Sequence, residues 1–293
     1  MTLLELKRVG SGYGRLPVLF DIDMSIEQGE MVSVLGSNGA GKSTLLKTVL
    51  GAVPPTAGEI NFRNQRVSSM PPHKRVAMGM ALSPEGRQVF PTLSVAENLV
   101  TGAYGMDKVK MREQRERCFE LFPRLKERQG QAAGSLSGGE QQMLAVSRAL
   151  MSRPRLLMVD ELSLGLAPVI AERLYAALRA LCDEGLSCIM VEQFHLTAVG
   201  FSDKQYVMEK GRFIKVTQKQ TAMSQKTRGT TGAVGGSATT QSTSRTTGRA
   251  SVASRAGALG GRPAPSRHAA PPPPAPEPEA DAGGDSKSGA PRF

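Results

Sequence analysis

One glycine-rich stretch constrains the fold more than any other part of the sequence. It consists of Gly36, Ser37, Asn38, Gly39, Ala40, Gly41, Lys42, Ser43 and Thr44. The stretch fits the pattern G-x-x-x-x-G-K-[ST], whose backbone cradles phosphate groups. The apolar run at 31–35 before it predicts a buried strand, and residues 44–50 after it predict a helix closed by Gly51. Because a helix start directs backbone N–H groups and a positive dipole end at one point, the sequence predicts a polyphosphate site here. A chance glycine-rich turn is the alternative, and the flanking strand and helix disfavour it.

Four side chains have expected roles in such a site. Lys42 is expected to reach the β- and γ-phosphates, and the Ser43 hydroxyl to ligate Mg²⁺. The apolar run at 156–159 is followed by Asp160 and Glu161. Asp160 is expected beside the Mg²⁺, and Glu161, one step nearer the γ-phosphate, is suited to polarise an attacking water. The alternative, in which the two carboxylates only cap a helix beginning at Pro168, leaves the phosphate loop unexplained.

A second candidate phosphate-binding surface lies between these two motifs. Ser137 is followed by Gly138 and Gly139 at the predicted start of a helix over 139–151. Because glycine has no side chain, the first backbone N–H groups of this helix are open to an anion. If one nucleotide cannot reach both surfaces within a chain, two chains must face each other.

Strand and helix patterns alternate along the chain and predict an α/β core. Predicted strands cover 2–9, 19–26, 31–35, 59–62, 78–82, 156–159, 188–191 and 205–208, and residues 11–14 are predicted to form a turn that carries Tyr13. Predicted helices beyond the phosphate loop cover 95–104, 108–122, 139–151 and 169–182, with a short helix from Pro71. The sequence thus predicts one domain over 1–217, with an inserted helical subdomain at about 95–150.

The last part of the chain, 218–293, has a different composition. It is rich in Gly, Ser, Thr, Ala and Pro, contains one aromatic residue, and carries 10 basic against 4 acidic residues of a chain whose net charge is +11. Such a stretch cannot bury enough apolar area to offset its ordering entropy, so it is predicted to be disordered. A basic arm for nucleic acid or anionic lipid is the alternative. The scarcity of lysine and of aromatic residues for base stacking disfavours it, and no nucleic-acid partner is expected.

Cysteine content and hydropathy restrict the cellular setting. Cys118, Cys182 and Cys188 have neither an even count nor metal-ligand spacing, which predicts reduced thiols in a cytosolic chain. No apolar run approaches the length of a membrane span, and the first residues do not resemble a signal peptide. If the protein works at a membrane, something other than a membrane-spanning segment of this chain must hold it there.

Taken together, the motifs resemble those of the ATP-binding cassette (ABC) ATPases of transporters over about residues 1–216. The glycine-rich stretch is similar to the Walker A motif, residues 156–161 to the Walker B motif and residues 136–142 to the family signature. Tyr13 matches the aromatic residue that stacks on adenine in this family, and residues 163–166 match its D-loop.

Finer features resemble one subfamily, that of hydrophobic amino acid uptake. The matching segments are 84–87, 90–95 and 163–168, and within the subfamily they are similar to the second ATPase subunit of branched-chain amino acid importers. The ATPase of urea importers is similar enough to remain an alternative. Soluble ABC ATPases of translation or DNA repair usually carry two cassettes or long coiled coils, which this sequence lacks. A module that binds ATP without hydrolysing it is disfavoured by Glu161.

The resemblance implies a mechanism and a set of partners. Two ATPase subunits, either paralogues or two copies of one chain, sandwich two ATP molecules head to tail, so that each Walker A motif faces the signature of the other subunit. Their closure drives two integral membrane permease subunits. A periplasmic solute-binding protein delivers the solute to these subunits. The implied location is the cytoplasmic face of the inner membrane. The helical block and the loop near Glu85 are the implied permease contacts.

Several positions depart from the family pattern. Glu85 stands where a glutamine is usual, and we expect it to act at the metal without the chemistry of an amide. Gln193 stands at the switch histidine and cannot take up a proton as histidine does. His195 is expected to be an ordinary residue at a helix start. Leu162 replaces the proline that usually follows the catalytic glutamate, and the 218–293 tail replaces a short C-terminal helix.

Overall fold

The computed structural model describes residues 1–193 and 196–219. The expectation for His195 and nearly all of the predicted disordered tail concern residues outside this range. In the described part of the chain, two sheets and eight α-helices are formed.

The central sheet has six strands in the order β10-β9-β3-β8-β7-β6. Its strands are β3 (Met31–Leu35), β6 (Met80–Ser83), β7 (Leu156–Asp160), β8 (Ser187–Glu192), β9 (Lys204–Glu209) and β10 (Arg212–Gln218). All neighbouring pairs are parallel except β9 and β10. The residues of β3, β7 and β8 are all buried, as expected of parallel strands covered on both faces.

A second, antiparallel sheet has four strands in the order β2-β1-β4-β5. They are β1 (Thr2–Tyr13), β2 (Leu16–Glu27), β4 (Pro55–Phe62) and β5 (Gln65–Arg66). The predicted turn at 11–14 is wrong in its first three residues, because Gly12 pairs with Pro17 and Tyr13 pairs with Leu16. After the chain break at Pro54 and Pro55, the sequence predicts an edge strand at 59–62, and this is also wrong, since β4 lies between β1 and β5.

The helices are α1 (Lys42–Leu50), α2 (Pro72–Ala77), α3 (Val95–Thr101), α4 (Lys108–Leu121), α5 (Pro123–Glu127), α6 (Gly138–Leu150), α7 (Pro168–Asp183) and α8 (Leu196–Phe201). A 3₁₀ turn at Ala133–Ser135 precedes α6. Helices α3 to α6 lie in the chain between β6 and β7, which are adjacent in the sheet. No helix within the described ranges has the length and apolar character needed to cross a membrane.

The central sheet separates two apolar cores. Leu156 and Met158 of β7 pack in the core that also contains α1 and the antiparallel sheet. Leu157 and Val159 point to the other face and pack with residues of α3, α4, α6 and α7. Because side chains alternate across a strand, the continuous apolar run of β7 packs into both cores. This packing fixes the position of Asp160 at the C-terminal end of the strand.

Candidate functional site

Three parallel strands end side by side at one edge of the central sheet. In the register, Leu35 of β3 is opposite Glu192 of β8, and Asp160 of β7 is opposite Val191. The glycine-rich loop, Glu161 and Gln193 therefore all begin at the same edge. Ligands of parallel α/β sheets bind outside this carboxyl edge, where the connecting loops meet.

The glycine-rich loop has the backbone geometry that its sequence predicts. A Cβ on Gly36 would lie 2.5 Å from the carbonyl oxygen of Met208, so only glycine fits where the loop leaves β3. Gly41 has a φ of 107° and precedes the first residue of α1. This left-handed conformation suits glycine and turns the chain into the helix. The loop thus places the N-terminus of α1 at the sheet edge.

Lys42 is buried at the start of α1, with 4% of its surface exposed. Its Nζ donates hydrogen bonds to the carbonyl oxygens of Gly36, at 3.0 Å, and Ser37, at 3.1 Å. The ammonium group is therefore held inside the loop, where an incoming phosphate oxygen could accept one of its protons.

Glu161 lies against this lysine. Its Oε1 is 3.9 Å from the Lys42 Nζ, and its side chain is 8% exposed. The Gln193 Nε2 donates to the same Oε1 at 3.0 Å. The φ of Glu161 is 52°, an uncommon backbone conformation for a residue other than glycine. Such strain persists only where the surrounding structure imposes it, and it is typical of functional sites.

Asp160 has the surroundings of a metal ligand. Among the residues that the structure describes, its buried Oδ1 has no hydrogen-bond partner. Burial raises the pKa of Asp160, a hydrogen bond from Ser43 partly opposes the rise, and the negative charge of Glu85 adds to it. Ser43, Asp160 and Glu85 therefore form a neighbourhood of oxygen donors in which a cation would relieve the cost of burying the carboxylate.

These residues fit Mg²⁺ rather than a metal held by protein ligands alone. The described part of the chain contains no group of three or more His, Cys, Asp or Glu side chains placed to hold an ion. Mg²⁺ is commonly bound by one or two protein oxygens together with substrate phosphates and water. The donor set at Asp160 matches that mode.

Tyr13 lies at the end of β1, beside α1. Its hydroxyl is 3.5 Å from the Thr44 Oγ1, and its ring is about half exposed. An exposed aromatic face next to a phosphate loop is suited to stack on a base. The structure thus brings Tyr13, the glycine-rich loop, the two carboxylates and Gln193 together.

Ser137, Gly138 and Gly139 occupy a different neighbourhood. The guanidinium of Arg87 lies over Gly138, where a Cβ would be 2.9 Å from it, and Ile170 of α7 lies similarly over Gly139. Ser137 is exposed at the start of α6. No hydrogen bond or ion pair within 1–193 and 196–219 joins these three residues to the glycine-rich loop. In the described residues, the candidate second phosphate-binding surface therefore has no direct polar contact with this chain's own loop.

Sequence reasoning overlooked three features of the site. Glu140 closes a capping box with Ser137, and the spacing S-x-x-E was a readable signal. Arg87 contacts the start of α6, and the sequence carries no signal for that contact. Glu192, at the end of β8, accepts hydrogen bonds from Ser163 in the loop between β7 and α7. The helix-cap alternative for the carboxylates is wrong, because α7 begins after Ala167 without a side-chain cap.

Comparison with known proteins identifies the family. The family model described as ABC transporter matches residues 19–163. The chain is 43% identical over 212 residues to the high-affinity branched-chain amino acid transport ATP-binding protein BraG of Pseudomonas aeruginosa, covering 72% of this chain and 91% of that one. The chain belongs to the ABC transporter ATP-binding family. This confirms the resemblance inferred from the Walker and signature motifs.

One further relative agrees with this family membership, and one solved structure agrees with the fold. The probable branched-chain amino acid transport ATP-binding protein LivF of Archaeoglobus fulgidus is 36% identical over 211 residues, with coverage of 72% and 89%. A crystal structure of a nucleotide-free ATP-binding cassette from an ABC transporter superposes with a TM-score of 0.69 at 24% identity, covering 74% of this chain and 92% of that one. The predicted α/β P-loop fold is confirmed, and the chain is a nucleotide-binding ABC ATPase.

Proposed function

We propose that this ABC ATPase powers the import of branched-chain amino acids by hydrolysing ATP with Mg²⁺. The observation that carries the proposal is the convergence of Lys42, Glu161 and Gln193 at the sheet edge. The substrate class is supported by the relatives BraG and LivF, both named for branched-chain amino acid transport.

The glycine-rich loop binds the triphosphate in this proposal. Backbone N–H groups of the loop and of the α1 N-terminus meet the phosphate oxygens, and Lys42 exchanges a carbonyl contact for a phosphate contact. Tyr13 stacks on the adenine. Ser43 and Asp160 would hold the Mg²⁺, and the nearby negative charge of Glu85 would add to the attraction for the cation. A Mg²⁺ ion held by these residues would supply positive charge to offset the negative charge that develops during hydrolysis.

Glu161 orients and polarises the attacking water. Glu161 follows the proposed metal ligand Asp160 by one residue and would therefore lie nearer the γ-phosphate. Water attacks the γ-phosphate, so the Glu161 carboxylate is placed to polarise it. Gln193 fixes one oxygen of Glu161 through its amide N–H, and leaves the other oxygen for the water. Because glutamine cannot take up a proton, its role at the switch position is to orient Glu161 and to donate a hydrogen bond.

The signature residues act on a nucleotide held by another subunit. The N-terminus of α6, with the exposed Ser137 followed by Gly138 and Gly139, is suited to bind a γ-phosphate. The partner is a paralogous ATPase subunit or a second copy of this chain. Head-to-tail pairing brings each signature to the partner's glycine-rich loop.

An apolar groove supports docking to a permease. It has a volume of about 440 Å³ and is lined on its apolar side by Val76, Pro84 and Phe90, of which Phe90 is 48% exposed. The groove lies between the loop of Glu85 and the helical block. A permease segment that docks in the groove and moves would displace the Glu85 loop, which is part of the nucleotide site. The chain would then lie at the cytoplasmic face of the inner membrane beside two permease subunits. A periplasmic solute-binding protein would deliver the solute to these subunits.

Transport assays test the proposal. The full chain, co-expressed with the membrane subunits of its transport system, would be introduced into cells that lack their own branched-chain amino acid importer ATPase. We expect uptake of labelled leucine with the wild-type chain and none with the Glu161→Gln variant at equal expression. Uptake of labelled urea without leucine uptake would contradict the substrate class, and leucine uptake by the variant would contradict the ATPase role.

A further inference from the structure

Glu192 is a buried carboxylate that lies outside the set of residues expected to touch nucleotide. It is the last residue of β8, directly before Gln193, and only 2% of its surface is exposed. Burying a carboxylate is costly unless hydrogen bonds replace its hydration. The hydrogen bonds that Glu192 accepts therefore show which groups offset the cost of burying its carboxylate.

The carboxylate accepts hydrogen bonds from the loop that follows Glu161. Its Oε1 accepts from the Ser163 backbone N–H at 3.2 Å, and its Oε2 accepts from the Ser163 hydroxyl at 2.7 Å. The Tyr175 hydroxyl of α7 donates to Oε1 at 2.6 Å. Two of these three bonds thus go to a single residue of the loop between β7 and α7.

The same loop is joined to the end of β8 by two further hydrogen bonds. The Glu161 N–H donates to the Val191 carbonyl at 2.9 Å, and the Gln193 amide donates to Glu161 at 3.0 Å. Residues 161–163 are therefore joined to residues 191–193 at both ends. The Glu192 carbonyl also accepts from the Gly36 N–H at 3.2 Å, which links this pairing to the start of the glycine-rich loop.

We propose that Glu192 is a positioning residue, which holds Ser163 against β8 and thereby sets the orientation of Glu161. Glu161 has a positive φ, and its side chain can keep one direction only while the residues on both sides are fixed. Glu192 fixes the C-terminal side of this segment through Ser163. A movement of the β7–α7 loop would then turn Glu161 by way of the Ser163–Glu192 pair. This inference rests on the proposed role of Glu161 in activating water.

Three single variants separate positioning from stability. Ser163→Ala removes one hydrogen bond between the loop and Glu192. Tyr175→Phe is the matched control, because it removes one hydroxyl bond to the same carboxylate from α7 instead of from the loop. Glu192→Gln keeps the shape of the side chain and removes its charge. The full chain, in complex with its transporter partners, would be assayed for kcat, KM for ATP and thermal unfolding.

We expect Ser163→Ala to lower kcat about tenfold with KM for ATP changed less than about twofold, because misorientation of a reacting group affects the chemical step and not binding. Tyr175→Phe should lower the unfolding temperature and change kcat by less than about twofold. Adding Ser163→Ala to Glu192→Gln should lower kcat by no more than about a further twofold, since residues that act through one another are not additive.

Three results would overturn the inference. These are a kcat of Ser163→Ala close to wild type, an equal loss of kcat in Tyr175→Phe, or fully additive losses in the double variant. If Glu192→Gln does not fold, the kcat values of Ser163→Ala and Tyr175→Phe still distinguish a positioning role from a purely structural one. A wild-type complex without ATP turnover would refute the proposed function as well, whereas wild-type turnover that Ser163→Ala leaves unchanged refutes only this inference.

Discussion

Replacement of Ser137 by alanine tests whether the start of α6 acts in catalysis or only in folding. The Ser137 hydroxyl donates to Glu140 at 2.8 Å, and the Ser137 N–H donates to the same carboxylate at 3.0 Å. Helix α3 has an equivalent capping box, in which the Ser94 hydroxyl and N–H donate to Glu97 at 2.6 and 2.7 Å. Ser94→Ala is therefore a matched control with the same lost cap.

The two variants should lose similar stability and differ in turnover. Loss of a serine cap costs about 1 kcal/mol, which lowers the unfolding temperature of a domain of this size by roughly 2–4 °C. If the Ser137 hydroxyl turns from Glu140 to donate to a γ-phosphate bound by the partner subunit, Ser137→Ala should lower single-turnover hydrolysis by about 10²-fold, the effect of deleting one transition-state donor. Ser94→Ala should leave the rate unchanged.

Thermal unfolding and single-turnover hydrolysis in the assembled complex would be measured on the same preparations. Equal rates for the two variants would refute a catalytic role for the start of α6. A drop in rate for both, in proportion to their loss of stability, would refute it too, because the effect would then be one of folding.

Three further predictions follow from the described contacts and the sequence. Because burial raises the pKa of Asp160, its ionised form destabilises the folded chain, and stability without nucleotide should fall as pH rises from the ordinary aspartate pKa through the raised one. Asp160→Asn should therefore raise the unfolding temperature at pH 7 while abolishing Mg²⁺-dependent hydrolysis; a lower unfolding temperature would contradict this. Gln193→Ala should lower kcat by about 10²-fold through the lost hydrogen bond to Glu161, and Gln193→His should retain most of the rate, as kinetics of the two variants would show. Truncation after Lys219 should leave ATP turnover and complex formation unchanged, and a large loss of either would show that the tail has a role.

Elements with strong local signals could be predicted from the sequence. The strand at Met31–Leu35 was predicted with its observed bounds, because five consecutive buried apolar or small residues precede a glycine loop. The phosphate loop and the Asp160–Glu161 pair were predicted because their residue types are those that phosphate and metal chemistry require. The ABC fold and family are confirmed by the comparisons. The roles of the individual site residues remain predictions.

Elements that depend on distant partners could not be predicted. Residues 11–13 were assigned to a turn because of their glycine, whereas pairing with β2 extends them as a strand. Strand β10 was missed because most of its residues are exposed and mixed in polarity. Glu192 was passed over because its partners, Ser163 and Tyr175, are 29 and 17 residues away in the chain. Nothing local in Val191-Glu192-Gln193 indicates that β8 ends between the glycine-rich loop and Glu161.

Single-turnover hydrolysis by the Glu161→Gln variant shows whether Glu161 is the residue that activates water. The substitution keeps the shape of the side chain and removes the carboxylate that polarises water. ATP binding would be titrated on the same complex, so that binding and chemistry are measured separately. We expect unchanged ATP affinity with hydrolysis slowed by more than about 10²-fold. Hydrolysis at the wild-type rate with ATP bound would contradict it and assign the role to another residue.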